Sequence, residues 1–281
     1  MLALALPLGL GLVAAGEARA QAAVTLGCNL EPGPSRAVAG IVDGETLRLD
    51  DGVEVRLIGA LAPRASDAGT DGNVSPAWPP EIATRDALAA WVGGQSVALA
   101  FAGRRADRYG RVLAHVFMNR DGEDVWVQGR LVEDGLARAY ALPESDACLG
   151  PLLERERRAR QANRGLWAHA AYQVRPADRP TELTRYRHTF QLVRGRVERG
   201  RGTRGSLSIL ELANGEKPPA PEGGSQRGAF RVVWRREVAR RAGLEAPERL
   251  ADRNILVRGW IDVRAGPEIE ILAAGQIEPD E

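Results

Sequence analysis

Hydrophobic and polar residues alternate through residues 42–64, which is the pattern of strands with one buried face. The apolar members of the alternation are Val42, Leu47, Leu49, Val53, Val55 and Leu57. The dipeptide Asp51-Gly52 follows the first run, and its residues tolerate the positive backbone angles of a tight hairpin turn. The sequence therefore predicts an antiparallel hairpin, with Glu45 and Arg56 on two strands that pair.

The remainder of the first half mixes helices with short strands. Pro79-Pro80 and Glu81 open a helical pattern that ends before Gly93-Gly94. Alternation predicts strands at residues 96–101 and 111–117, and helical spacing predicts helices at 125–134 and 148–163. The charged residues of the last helix are expected on a solvated face.

A segment with little periodicity, residues 167–180, precedes a second group of strand patterns. The five candidate strands are residues 188–197, 206–212, 228–234, 254–263 and 268–272. A helical pattern covers residues 235–250, and a loop rich in Pro and Gly covers residues 214–226. Five short strands and one helix predict a second small β-barrel.

The first 22 residues resemble an export signal. An apolar run from Leu2 to Ala15 leads to Ala18-Arg19-Ala20, which has the small residues of a signal-peptidase cleavage site, although no basic residue precedes the run. No later run has the length of a membrane-spanning helix. We therefore expect an exported protein, periplasmic or secreted, without a transmembrane segment after signal cleavage.

The two cysteines fit an oxidising compartment. Cys28 follows the predicted cleavage site and Cys148 opens the last helix of the first domain. An even cysteine count in an exported chain favours a disulfide, here Cys28–Cys148. Two free thiols and a lipid anchor on Cys28 are the alternatives.

Overall charge does not indicate a partner. The chain has 281 residues, 44% hydrophobic and 27% charged, with a net charge of +1. Basic residues are concentrated in residues 185–264, where arginine clusters would serve as a solubilising surface or as a single-strand binding face. Trp234 and Trp260 are the stacking candidates there, but both lie in apolar strand patterns and are expected in the core.

Three motifs in order carry a family resemblance. They are Asp43-Gly44-Glu45-Thr46, then Arg56-Leu57-Ile58-Gly59 with Pro63, then Asp107-Arg108-Tyr109-Gly110-Arg111. With these motifs, residues 39–167 resemble the thermonuclease (staphylococcal-nuclease-like) family. The resemblance implies a mostly β fold with helices (α+β): a five-stranded OB-fold barrel with three helices.

The end of the chain carries Arg258-Gly259-Trp260-Ile261, Gly266-Pro267, and Ile269-Glu270 to Gln276-Ile277-Glu278. With these motifs it is similar to a C-terminal domain that often follows such a domain in exported bacterial proteins. The expected organisation therefore has five parts. They are a signal peptide at residues 1–22, an N-terminal arm at 23–38, the thermonuclease-like domain at 39–168, a linker at 169–184 and a C-terminal OB-like β domain at 185–281.

Members of the family hydrolyse phosphodiesters of DNA and RNA with a calcium ion. The resemblance implies that Glu45 replaces one metal-binding Asp, that Leu61 replaces another, and that the Ala62 backbone carbonyl is a further ligand. It also implies that Arg64 replaces the general-base Glu. Family members clamp the phosphate with two arginines, and the resemblance implies that Arg56 and Arg111 occupy the matching positions.

These replacements predict a degenerate metal site. Calcium needs several oxygen ligands, and Leu61 offers none. A guanidinium at Arg64 repels a cation and cannot deprotonate water. We therefore expect no cofactor. The alternative is a functional site that binds Ca²⁺, with Asp67 or Asp71 of the following loop supplying the missing carboxylate.

Three interpretations follow. In the first, an exported, catalytically degenerate protein binds nucleic acid, nucleotide or another phosphorylated ligand through Arg56, Arg111 and the basic second domain. In the second, an active metal-dependent endonuclease uses Glu45 and a relocated carboxylate. In the third, the chain is an envelope protein-interaction module without a nucleic-acid role, and its protein partner is not predicted.

Overall fold

The computed structural model describes residues 27–68, 77–141, 143–203, 206–212 and 228–280. The predicted signal peptide, Asp71 and the 214–226 loop lie outside the described residues. Two β-barrels, one in each half of the chain, make up most of the described structure.

The first half contains eight strands and three helices among the described residues. The strands are β1 (Glu31–Asp43), β2 (Thr46–Leu49), β3 (Glu54–Leu57), β4 (Ala60–Leu61), β5 (Ser96–Phe101), β6 (Val112–Arg120), β7 (Glu123–Trp126) and β8 (Arg138–Ala139). The helices are α1 (Pro79–Val92), α2 (Val127–Glu133) and α3 (Leu149–Gln161), with 3-10 turns at Ala65–Ala68 and Gly165–Ala168.

The second half contains seven strands and two short helices within the described ranges. The strands are β9 (Arg175–Pro176), β10 (Phe190–Gly202), β11 (Leu207–Leu212), β12 (Phe230–Arg235), β13 (Asn254–Asp262), β14 (Glu268–Glu270) and β15 (Ile277–Pro279). The helices are α4 (Pro180–Leu183) and α5 (Arg236–Ala242), with 3-10 turns at Ala170–Tyr172, Thr184–Tyr186 and Pro247–Leu250.

The first barrel closes through five strands. Its sheet has the order β3-β2-β1-β5-β6-β7, and parallel pairing of β3 with β6 joins the sheet to itself. The predicted hairpin is β2–β3, with Gly52 at a φ of 82° in its turn. Leu47, Leu49 and Val55 of this hairpin are buried, as the alternation predicts.

Glu45 differs from its predicted position. It lies in the turn between β1 and β2, and its neighbour Thr46 is the cross-strand partner of Arg56. The turn nevertheless brings the two side chains together, because the Leu57 N–H donates to the Glu45 carbonyl at 2.8 Å.

The N-terminal arm is tied to the barrel. β1 begins at Glu31, inside the predicted arm, and pairs with β5 along its first half. A disulfide joins Cys28 to Cys148 at the start of α3, with the two Cα atoms 5.1 Å apart. The predicted disulfide is therefore confirmed.

The second barrel has the same connectivity as the first. β10 pairs with both β11 and β13, while β12 pairs with β11 and, in parallel, with β14. In both barrels the third strand therefore closes onto the fifth in parallel. Trp234 is buried in the core of this barrel, as expected.

Two predicted helices are shorter in the structure. The 235–250 helix ends at Ala242, because Gly243 adopts a left-handed φ of 63° and Pro247 starts a separate 3-10 turn. The 125–134 helix begins at Val127, because the preceding residues continue the β6–β7 hairpin.

The barrels share an apolar interface. Leu61 and Ala159 from the first half pack in one cluster with Phe190, Leu192 and Leu256 from the second. The segment between the barrels also packs: β9 pairs with β10. Among the described residues, no helix is long and apolar enough to cross a membrane.

Candidate functional site

A pocket of about 680 Å³ opens where the two barrels meet. The first barrel supplies the β1–β2 turn, the segment after β4, and side chains from β3 and the loop before β6. The second barrel supplies Trp260 from β13. The lining residues are Asp43, Gly44, Glu45, Arg56, Leu61, Ala62, Pro63, Arg64, Ala65, Ser66, Glu81, Tyr109, Arg111 and Trp260.

The Glu45 carboxylate is buried and bound on both oxygens. Its Oε1 forms an ion pair with Arg56 Nη1 at 2.8 Å and accepts a hydrogen bond from the Arg64 guanidinium. Its Oε2 accepts from the Ala62 backbone N–H at 3.2 Å. Two guanidinium groups therefore face the Glu45 carboxylate, while Asp43 of the same motif and Glu81 also line the pocket.

Arg64 reaches into the pocket from the segment after β4. Its side chain is about half exposed, and its pKa is raised because the negative charge of Glu45 stabilises the cationic form. A permanently charged group at this position has no lone pair with which to accept a proton from water. Arg64 therefore binds an anion and cannot act as a general base.

Asp67 does not move into the pocket, so that expectation is wrong for this residue. Its Oδ2 accepts from Arg138 Nη2 at 2.7 Å, from the Arg64 backbone N–H at 2.9 Å and from the Tyr172 hydroxyl at 3.2 Å. The Asp67 side chain is buried in this arrangement, outside the set of residues that line the pocket. Arg138 compensates its charge.

Leu61 combines two roles. It lines the pocket, and it is also buried in the apolar cluster between the barrels. β4, which carries it, pairs with β8, so the backbone of this segment is fixed. An apolar side chain at this position belongs to the interface with the second domain.

The residues present do not fit a calcium site. Across the described residues, no group of three or more His, Cys, Asp or Glu side chains lies where it could hold a metal ion. Glu45 is engaged by two guanidinium groups, and Asp43 Oδ1 accepts the Glu45 backbone N–H at 2.9 Å. Calcium needs six to eight oxygen ligands, and this arrangement does not supply them.

Arg111 is held at the end of a tight loop. Asp107 Oδ1 accepts from the backbone N–H groups of Tyr109 and Arg111, and Oδ2 accepts from Arg111 Nε at 2.7 Å. Burial alone would raise the pKa of Asp107, but these hydrogen bonds hold it below its ordinary value. Gly110 turns the chain with a φ of 83°. The loop thus fixes the Arg111 guanidinium through one nitrogen.

A second pocket of about 350 Å³ adjoins the first. It shares Arg56, Tyr109 and Arg111 with the larger pocket and adds Arg104 and Arg108. Guanidinium groups match phosphate oxygens in charge and geometry. The shared arginines can therefore bind a phosphate at the boundary of the two pockets.

Sequence reasoning missed two features of this site. Trp260 was expected in the core, yet it is 41% exposed, so that expectation is wrong. Tyr109 belongs to the third motif without a predicted role of its own, and it lines both pockets. Strict alternation along β13 would have predicted that Trp260 faces away from the core, because its neighbour Ile261 faces the core.

Comparison with known families supports the first domain. Residues 54–169 match the family described as staphylococcal nuclease homologue, so the chain carries a domain of that family. The barrel with its three helices has the fold expected of it. The match begins at β3 and does not include the turn that carries Glu45. A search of the curated proteins gave no significant match.

Proposed function

We propose that this chain is an exported protein that binds nucleic acid or nucleotide at the arginine site and lacks calcium-dependent hydrolysis. One observation carries the proposal: the Glu45 carboxylate is bound by Arg56 and Arg64. The carboxylate that would contact a metal ion instead holds two cations of the protein itself. Around Glu45, two cationic side chains face one carboxylate, which favours an anion at that point of the pocket.

Phosphate binding rests on preorganised arginines. Arg56 is fixed on β3 by Glu45, and Arg111 is fixed at its loop by Asp107. Both side chains are mostly buried, so little side-chain entropy is lost when they bind a ligand. Charge-assisted hydrogen bonds from two such groups favour a phosphodiester or a phosphate monoester.

Loss of hydrolysis rests on the replaced side chains. Leu61 offers no oxygen to a metal, and Arg64 brings a positive charge to the place where a general base is expected. Without the metal and the base, the pocket lacks the two groups with which the family generates a hydroxide nucleophile near neutral pH. Hydrolysis should therefore be slower by several orders of magnitude than in a site with both groups.

Export is part of the proposal because the disulfide needs an oxidising compartment. Cys28 and Cys148 are joined in the folded domain, and such bridges persist outside the reducing cytosol. The predicted signal peptide at residues 1–22, with its apolar run, fits export to this compartment.

A cleavage assay tests the loss of hydrolysis. We expect the purified native chain to show no chelator-sensitive cleavage of fluorogenic DNA or RNA with calcium or manganese. A Leu61→Asp/Arg64→Glu variant is expected to gain it, provided that thermal unfolding shows it folded, because Leu61 also packs between the barrels. Robust chelator-sensitive digestion by the native chain would establish the active endonuclease instead.

Binding is tested separately with arginine variants. Arg111→Ala and Arg56→Ala should each weaken binding of a labelled oligonucleotide by about tenfold or more, since each removes charge-assisted hydrogen bonds. The matched control is Arg235→Ala, which removes an exposed arginine from the second barrel. Equal affinity of all four proteins would favour the interaction module without a nucleic-acid role.

A further inference from the structure

Exposed aromatic side chains are concentrated at the arginine site. Within the described part of the chain, Tyr109 and Trp260 are the exposed aromatic residues, with 69% and 41% of their surface accessible. Both line the larger pocket. Exposed aromatic rings can stack with a flat aromatic group, and the guanidinium groups beside them can bind an anion. The site therefore suits a ligand that has both parts.

Trp260 comes from the second barrel and is held in one orientation. Its ring makes edge-on contacts with Tyr140, at 5.1 Å between centroids, and with Phe190, at 5.0 Å. β13 pairs it with Phe190, and the neighbouring Ile261 faces the barrel core. The indole therefore projects out of its own barrel as a fixed wall of the pocket between the domains.

Arg56 and Arg111 line two adjoining pockets that differ in their other residues. Trp260 lines the larger pocket. Arg104 and Arg108 line the smaller one, and both are exposed and without an ion pair among the residues described. A ligand that fills both pockets thus meets an aromatic surface, two anchored guanidinium groups and two more positive charges.

We infer that the site takes a single strand of nucleic acid more than one nucleotide long, with a base stacked on Trp260. Phosphates on either side of the next sugar would lie against the Arg56–Arg111 pair and against Arg104 and Arg108. A duplex does not offer an unstacked base, so single strands are favoured. This inference rests on the proposed function and adds the base-stacking role of Trp260 from the second barrel.

Substitutions at Trp260 test the stacking. Trp260→Ala should weaken binding of a single-stranded oligonucleotide by about tenfold, whereas Trp260→Phe should keep most of the affinity. The discriminating ligand is an abasic phosphodiester strand of the same length. Trp260→Ala should leave binding of the abasic strand unchanged, because its phosphates still meet every arginine. Thermal unfolding of both variants checks that the interface is intact.

The salt dependence of binding tests the second pocket. Removing two phosphate contacts in Arg104→Ala/Arg108→Ala should make the slope of log affinity against log salt less steep by about 1.4. The control Arg235→Ala/Arg236→Ala removes the same charge from an exposed face of the second barrel and should leave the slope unchanged. Trp260→Ala should also keep the native slope.

The outcomes separate this inference from the proposal beneath it. If the native chain binds oligonucleotides through Arg56 and Arg111 but Trp260→Ala binds them equally well, the stacking role is overturned and the proposed function stands. Equal affinity for a mononucleotide and an oligonucleotide would also overturn the inference. If the native chain binds neither an oligonucleotide nor a mononucleotide at low salt, both fail.

Discussion

His115 is a titratable residue in a buried position, where its charged form would be unfavourable. It lies on β6 with 1% of its surface exposed, and neither ring nitrogen has a hydrogen-bond partner within the described structure. Burial lowers its pKa from 6.5 to about 3, because the charged form would lose its hydration. The folded chain therefore keeps this imidazole neutral.

This depressed pKa predicts a pH-dependent stability. Below about pH 6.5 the unfolded chain binds a proton at His115 that the folded chain does not, so the free energy of unfolding falls as the pH is lowered. The loss is up to about 1.4 kcal/mol per pH unit between the two pKa values. Urea denaturation between about pH 7 and pH 4 should show a shallower fall for His115→Met. Identical pH profiles for the two proteins would contradict it.

At the residue scale, the sequence indicated which charged residues belong to the site better than it indicated which residues they contact. The hairpin predicted that Glu45 and Arg56 lie close together, but the register pairs Thr46 with Arg56, and Glu45 reaches Arg56 from the adjoining turn. The bond from Arg64 to Glu45 and the capture of Asp67 by Arg138 were not predicted. Arg138 is 71 residues from Asp67, and no local pattern specifies a contact of that kind.

At the scale of elements, α3 connects the N-terminal arm to the interface between the barrels. Its first turn follows Cys148, and its Leu149, Leu152 and Leu153 are buried as their spacing predicts. Glu156 differs: a solvated position was expected, but it is fully buried. Its partner, Arg258, lies on β13 of the second barrel, so the sequence of the helix alone could not predict its burial.

The disulfide predicts a measurable stabilisation of the first barrel. It closes a loop of 120 residues between the arm and α3, which restricts the unfolded chain. Cys28→Ala/Cys148→Ala should lower the free energy of unfolding by about 2–5 kcal/mol. A reducing agent should destabilise the native chain and leave the double variant unchanged. Two reactive thiols in the native, unreduced chain would disprove the bridge.

At the scale of the whole molecule, a buried ion-pair network joins the two barrels. Arg258 has no exposed surface, and it pairs with Glu156 of α3 and with Glu278 of β15. Burial alone would lower the pKa of Arg258, but the two carboxylates outweigh it and raise the pKa. The guanidinium is therefore charged and compensated at the interface.

Breaking this network should be costly. Arg258→Met leaves Glu156 and Glu278 only their longer pairs, with Arg160 at 4.0 Å and Arg157 at 3.6 Å, and should lower the free energy of unfolding by about 3–5 kcal/mol. Arg258→Met/Glu156→Gln/Glu278→Gln should recover part of the loss, because neither buried carboxylate is then charged. The control Arg253→Met removes an exposed pair with Glu245 and should cost at most about 1 kcal/mol. Equal costs for the two arginines would refute the argument.

The arrangement of the two barrels was the part least accessible from the sequence. Alternation and turn residues predicted each barrel, because strand periodicity and Gly positions are local properties. The shared pocket depends on which faces of the barrels meet. Leu61 shows this: its apolar side chain was explained as the loss of a metal ligand, and the structure adds that it packs against Phe190 of the second barrel.

The central claim is that the pocket binds phosphate through its arginines without a divalent cation. The most direct measurement is the affinity of the native chain for a labelled single-stranded oligonucleotide in chelator and in calcium, at one constant ionic strength. We predict the same dissociation constant within about twofold, because no metal takes part in binding. Binding that requires calcium and disappears with chelator would contradict the account.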